Sequence, residues 1–180
     1  PALSVDGPNT PTLYPLLAWG GFLEAAGPRF PAMGNFSFDT GDVHWTVLDS
    51  DPYVHWDDPA LKAWVEKDLA GAQKAVWRLV VFHHAPFSSS FGHFNDQWMR
   101  FICPVLQKYG VDMTLTGHVH NYQRTLPLTF EPAPDARSGL DGRGRGPVKG
   151  VLHLDSTFDG ERVTKAHSII HIVTGAGGGE

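Results

Sequence analysis

Two short apolar runs constrain the fold of this chain more than any other feature. Residues 77–82 read Trp-Arg-Leu-Val-Val-Phe and residues 111–116 read Val-Asp-Met-Thr-Leu-Thr. Both are too short for a helix with a core-facing stripe, and the first is rich in β-branched residues, so both read as strands. The nearly continuous apolar character of the first predicts cover on both faces. Between them, residues 96–109 carry Trp98, Phe101, Ile102, Val105 and Leu106 at helical spacing, with Pro104 as a kink and Gly110 as the stop. Strand, helix and strand in that order predict a βαβ unit with a right-handed crossover, and hence an α/β protein.

The flanking segments add elements of both kinds. Residues 35–39 and 43–48 are β-prone and separated by Thr40-Gly41-Asp42, the pattern of a hairpin. Asp57 or Asp58 followed by Pro59 marks a helix start, and Leu61, Trp64, Val65 and Leu69 then recur at helical spacing. Residues 127–150 are rich in Pro, Gly and Arg and predict a surface excursion with little structure of its own. Residues 151–154 and 162–164 suggest a second hairpin turning at Asp159-Gly160, and residues 168–173 a last strand before a glycine run. Residues 1–34 are Pro- and Gly-rich, with one short helix suggested around residues 13–26. No internal repeat is present, so residues 1–180 read as part of one domain, with 1–32 the least defined stretch.

Composition limits the chemistry. The 180 residues, 42% of them hydrophobic, suffice for one domain of ordinary size. A net charge of −5 disfavours a nucleic-acid surface, and no apolar run approaches the ~20 residues of a membrane span. Histidine is over-used: ten residues against one cysteine. The lone Cys103 excludes an intramolecular disulfide and a cysteine-based zinc cluster, so a metal site here must use His, carboxylate and amide ligands. The chain opens at Pro1 without an initiator Met and reads as a fragment, which leaves its compartment undefined.

Both candidate parallel strands end in histidine. The first runs into His83-His84-Ala85-Pro86 and the second into Gly117-His118-Val119-His120. In open α/β sheets, ligands bind beyond the carboxyl ends of the strands, so these exits can build one site from sequence-distant residues. Neutral imidazole is a strong ligand for transition metals, and Gly117 lets the backbone turn closely around an ion. His93 lies on the loop after His84; its alternative is a surface histidine. His44, His55, His153, His167 and His171 sit among apolar residues or in loops and read as structural or solvated.

The ordered set His84-Ala85-Pro86 and Gly117-His118-Val119-His120-Asn121-Tyr122-Gln123-Arg124 resembles the calcineurin-like metallophosphoesterases, in particular their purple-acid-phosphatase-like branch. Asn35 to His44 is similar to that branch's hairpin ahead of the site, and Val173 to Gly178 to its later strand and glycine turn. The resemblance runs from about residue 33 to 180. It implies a four-layer sandwich of mixed β-sheets between helices, of which this chain is the C-terminal half.

It also implies two transition-metal ions (Fe, Zn or Mn), with His84 and His118 on one ion and His120 on the other. Paired ions of this kind clamp the attacking and leaving oxygens of phosphoryl transfer and activate water. The His-x-Pro spacing favours His84 over His83 as the ligand. His93 would lie near the substrate phosphate as a proton donor, and Arg124 would contact substrate or form a local salt bridge. The substrate implied is a small phosphate ester, and the setting extracytoplasmic or secreted.

One departure qualifies these expectations. The family's carboxylate-bearing motifs do not precede the recognisable region: Gly41-Asp42 belongs to the hairpin, and Asn9 lacks the histidine that should follow it. The chain thus carries the histidine half of such a site and is expected to be inactive alone. Two other classes remain, a non-catalytic homologue and a nucleotide-binding module built on the turn Gly175-Ala176-Gly177-Gly178.

Overall fold

A computed structural model describes residues 34–52, 54–142 and 144–177. The helix suggested around residues 13–26 lies outside them. The expected hairpin is present as β1 (Phe36–Thr40) and β2 (Val43–Val47), paired antiparallel from Phe36↔Val47 to Thr40↔Val43. Gly41 takes a φ of 59°, and positive φ at the first central residue alone is what a type II′ turn needs.

Helix α1 (Pro59–Gly71) starts as its sequence dictates. The Asp58 carboxylate accepts a hydrogen bond from the Ala60 N–H at 2.8 Å, and Pro59 sits where a missing N–H costs nothing. Leu61, Val65 and Leu69 are buried on one stripe of α1.

The segment expected as one kinked helix is broken. A 3₁₀ turn over Trp98–Phe101 precedes a short helix α2 (Cys103–Lys108), with Pro104 in the first turn of α2. Proline there starts a helix, since its absent N–H falls where no intrahelical acceptor exists. Gly110, at φ 66°, ends the segment.

β3 (Trp77–Val81), β4 (Met113–Thr116), β5 (Tyr122–Arg124) and β8 (Ile170–Thr174) complete a six-stranded sheet in the order β1-β2-β3-β4-β8-β5. The β2–β3, β3–β4 and β4–β8 pairs are parallel and the two outer pairs antiparallel, so the fold is α/β with a mixed sheet. One row of the sheet, Thr46↔Val80↔Thr114↔His171, is buried throughout. The opposite face buries Leu79, while Trp45, Val81, Leu115 and Ile172 on it are half-buried. The cover expected on both faces of β3 is therefore complete on one only, and Trp77 stays 49% exposed.

Residues 127–150 hold more structure than their composition suggests. They contribute β6 (Leu128–Pro132), which pairs antiparallel with β7 (Gly150–Leu154), and they bury Leu128, Phe130, Ala136 and Val148. This pairing replaces the expected hairpin of 151–154 with 162–164. Asp159-Gly160 does form a tight turn, where Asp159 Oδ1 accepts from the N–H groups of Glu161, Arg162 and Val163.

Arg100 fastens this segment to the sheet exits. Its Nε donates to the Pro86 carbonyl at 2.8 Å and its Nη1 to the Val148 carbonyl at 3.3 Å, with the guanidinium over Phe87 and Phe130. The main core gathers α1, the 98–106 segment, Val80, Phe82 and Phe130.

Candidate metal centre

The site grows from the carboxyl ends of β3 and β4. After β3 the chain turns at His83-His84, and the buried Ser50 holds the turn. Its Oγ accepts from the N–H of His83 (3.0 Å) and of His84 (2.9 Å) and lies 3.0 Å from His84 Nδ1. That contact fixes the His84 ring.

After β4, Gly117 donates its N–H to the His83 carbonyl at 3.0 Å, joining the two exits. His118 then adopts φ 62°, and among the described residues it is the one non-glycine with positive φ. Such a conformation costs roughly 1–3 kcal/mol and recurs where a side chain is aimed for function. Beneath both turns Ala85, Val119 and Val173 pack into a small buried cluster that pins the loops to the sheet.

The imidazoles converge. The His118 ring centroid lies 4.4 Å from that of His84, 4.2 Å from that of His93 and 5.0 Å from that of His83. His83, His84 and His118 form one set of donors within 4.8 Å of one another, and His93, Asp96 and His118 form a second. His84 and His118 thus lie together, with His93 beside them. His83 joins the set, and His120 is exposed and belongs to neither among the described residues. Arg124 lies on the edge strand β5 and carries no described link to the cluster.

Two residues that sequence reasoning did not single out complete the arrangement. Asp96 is buried, and its Oδ2 accepts from His93 Nδ1 (3.2 Å) and His118 Nε2 (3.1 Å). Its Oδ1 accepts from Arg145 Nη2 at 2.9 Å. The signal for Asp96 was weak: an acid three residues after a loop histidine. For Arg145 there was none, because it sits 49 residues away from Asp96 in the Gly/Arg stretch.

Charge follows burial. Desolvation, reinforced by the neighbouring imidazoles of His118 and His83, pushes His84 down to about 3, so its ring is neutral and its lone pair available at any ordinary pH. Burial also lowers His118, against the opposing pull of Asp96. Burial raises Asp96, but hydrogen bonds from Arg145, His93 and His118 outweigh it and hold the carboxyl below its ordinary value.

The donor set fits a transition metal. Neutral imidazoles with one carboxylate are the ligands of Zn and Fe, and their nitrogens are already close enough to share an ion. Asp96 is the one carboxylate in the two sets, and its engagement by Arg145 leaves no bridging carboxylate among the described residues.

The glycine turn after β8 has a structural explanation. A Cβ on Gly175 would collide with the Val119 carbonyl, so this glycine serves the packing of the two loops.

No protein-family model matches the chain. It is 35% identical over 98 residues to purple acid phosphatase 23 of Arabidopsis thaliana, an alignment covering 49% of this chain and 20% of that protein. An acid phosphatase of Aspergillus ficuum is 32% identical over 90 residues, covering 49% of this chain and 14% of that protein. Acid phosphatase A of Cryphonectria parasitica is 26% identical over 194 residues, covering 90% of this chain and 38% of its own length. The chain therefore spans well under half of these relatives. The purple acid phosphatase from yellow lupin (Lupinus luteus) seeds shares the fold, with a TM-score of 0.55 at 20% identity, covering 83% of this chain and 24% of the lupin chain. On these likenesses the chain is similar to a part of the purple acid phosphatases.

Proposed function

We propose that this chain supplies the histidine side of a metal-dependent phosphate-ester hydrolase site. The observation that carries the reading is the meeting of His84, His93 and His118, delivered from the ends of two parallel strands, with centroids 4.4 and 4.2 Å from the central His118 ring. His84 and His118 hold one ion. His120, exposed on the same loop, is the ligand offered to a second, whose carboxylate ligands come from outside the described residues. Bound ions of this kind lower the pKa of water and stabilise charge on phosphoryl oxygens.

The chain's own residues do the rest. Ser50 fixes the His84 ring, and Asp96 orients His93 and His118 by accepting their ring N–H groups. His93, donating Nδ1–H to Asp96, keeps Nε2 for the substrate side. Water adds to phosphorus and releases a proton to solvent, the bond from phosphorus to the alcohol oxygen breaks, and a proton carried at His93 Nε2 passes to that oxygen and is then replaced from solvent. The likeness to named acid phosphatases supports phosphate esters as the substrate class.

The test is metal analysis with p-nitrophenyl phosphate hydrolysis on the full-length protein and its His118→Ala/His120→Ala variant. We expect loss of bound metal and of activity. Unchanged metal content with unchanged activity overturns the assignment. His93→Ala should retain metal while kcat falls by ~100-fold.

A further inference from the structure

Beside the imidazole cluster lies a cavity of about 600 Å³, walled by Gly92, Asn95 and Asp96 on one side and by residues 138–141 and 145–147 on the other. Its walls are tied together rather than merely adjacent. The Gly146 N–H donates to the Asn95 carbonyl at 2.9 Å, and Asp96 and Gly146 form a parallel β-bridge. The far wall is closed on itself, since the Arg145 N–H donates to Asp141 Oδ1 at 2.9 Å and the Asp141 N–H to the Arg145 carbonyl at 2.7 Å.

Asp96 is the partition between cavity and cluster. Its Oδ2 faces His93 and His118, while its Oδ1 takes Arg145 Nη2. Arg145 is half-exposed and lies 5.8 Å from the Trp98 ring. A guanidinium has five N–H donors in a planar fork, of which Asp96 takes one.

The lining is about half polar. Ser138, Asp141, Arg145 and peptide groups of glycines and loops supply the polar part, Leu140 and Pro147 the apolar part, and no aromatic ring contributes. Phe91 and Phe94, exposed on the neighbouring turn, do not line it. An aryl group entering here would strip these polar groups of water without replacing their hydrogen bonds, whereas a polyhydroxylated group would replace them. The volume is that of an ordinary small-molecule site.

We propose that this cavity receives the alcohol portion of the phosphate ester, and that Arg145 and Ser138 set a preference for a polyhydroxylated alcohol over an aryl one. The inference rests on the hydrolase reading above. It places the phosphate at the imidazoles and the departing alcohol across Asp96, next to His93.

The test compares kcat/KM for glucose 6-phosphate and p-nitrophenyl phosphate in the full-length protein and in its Arg145→Met and Ser138→Ala variants. Arg145→Met should lower the ratio of sugar to aryl specificity by ~10-fold, chiefly through KM for the sugar ester. Ser138→Ala, which leaves Asp96 untouched, should lower it in the same direction by ~3-fold. Turnover of both esters with an unchanged ratio in either variant overturns the cavity assignment alone. Absence of turnover on both esters by the unmodified protein overturns the hydrolase reading, and this inference with it.

Discussion

His118 holds its position at a backbone cost, and that cost is measurable. At φ 62° an L-residue crowds its own Cβ, by about 1–2 kcal/mol relative to glycine. His118→Ala and His118→Gly both remove the imidazole, so their difference isolates the backbone. We expect His118→Gly to be more stable than His118→Ala by about 1 kcal/mol in denaturant unfolding; equal midpoints would mean that the strained conformation is absent. Two histidines away from the site set opposite pH slopes. His171, buried against Thr114 with a 2.8 Å contact between Nδ1 and Oγ1, is pushed by desolvation down to about 3. The unfolded chain then binds a proton that the folded chain does not, so stability falls as pH drops from about 6.5 toward 3, by up to about 1.4 kcal/mol per pH unit. His44 is raised instead, first by its hydrogen bond to Asp68 and then, against burial, by Asp39. Its contribution is complete below about 6.5 and is lost as pH rises through the raised folded value. His171→Gln should flatten the acid limb of the stability curve and His44→Gln the alkaline limb; curves parallel to the unmodified protein would refute either account.

At the scale of elements, local signals were read best where they were chemical. The Asp58-Pro59 start of α1 and the Gly41 turn followed from one or two residues whose backbone demands have few solutions. The segment after β3 misled because its apolar residues are all buried, as a single helix would bury them, while a 3₁₀ turn and a shorter helix divide the stretch. Pro104 decides between the two descriptions. As a mid-helix kink, its replacement by Ala would stabilise by about 3 kcal/mol; in the first turn of α2 the change should stay within about 0.5 kcal/mol. Thermal unfolding of Pro104→Ala measures this. β6, its pairing with β7 and the Arg100 clamp were illegible, because pairing between residues 128 and 154 or contact from Arg100 to Val148 leaves no mark on a local window.

Over the whole molecule, the faces of the sheet are unequally covered. The buried row contains Thr46, Thr114 and His171, each hydrogen-bonded to Asp68 or to one another, while Trp45, Val81, Leu115 and Ile172 on the other face are half-buried. On β7, Val151, Leu152 and Leu154 are 54%, 46% and 58% exposed. Apolar surface of this kind, beside an open strand edge, drives association. The 180-residue chain made alone should show a mass that rises with concentration in sedimentation equilibrium, and Leu152→Lys/Leu154→Lys should shift it toward monomer. A single monomeric mass at all concentrations would contradict this.

The sequence by itself determined the two parallel strands, the histidines at their ends and the hairpin before them, since strand length, β-branching, glycine and motif spacing act within a few residues. Only the tertiary structure decided that β4 turns its threonines inward and its Met113 and Leu115 toward the thinner cover. The alternation in Met-Thr-Leu-Thr specifies two faces, but which one is buried depends on what packs against the sheet. The same holds at the site. His84 and His118 were legible from their motifs, while Asp96 and Arg145 acquired meaning once two loops 49 residues apart were closed against each other.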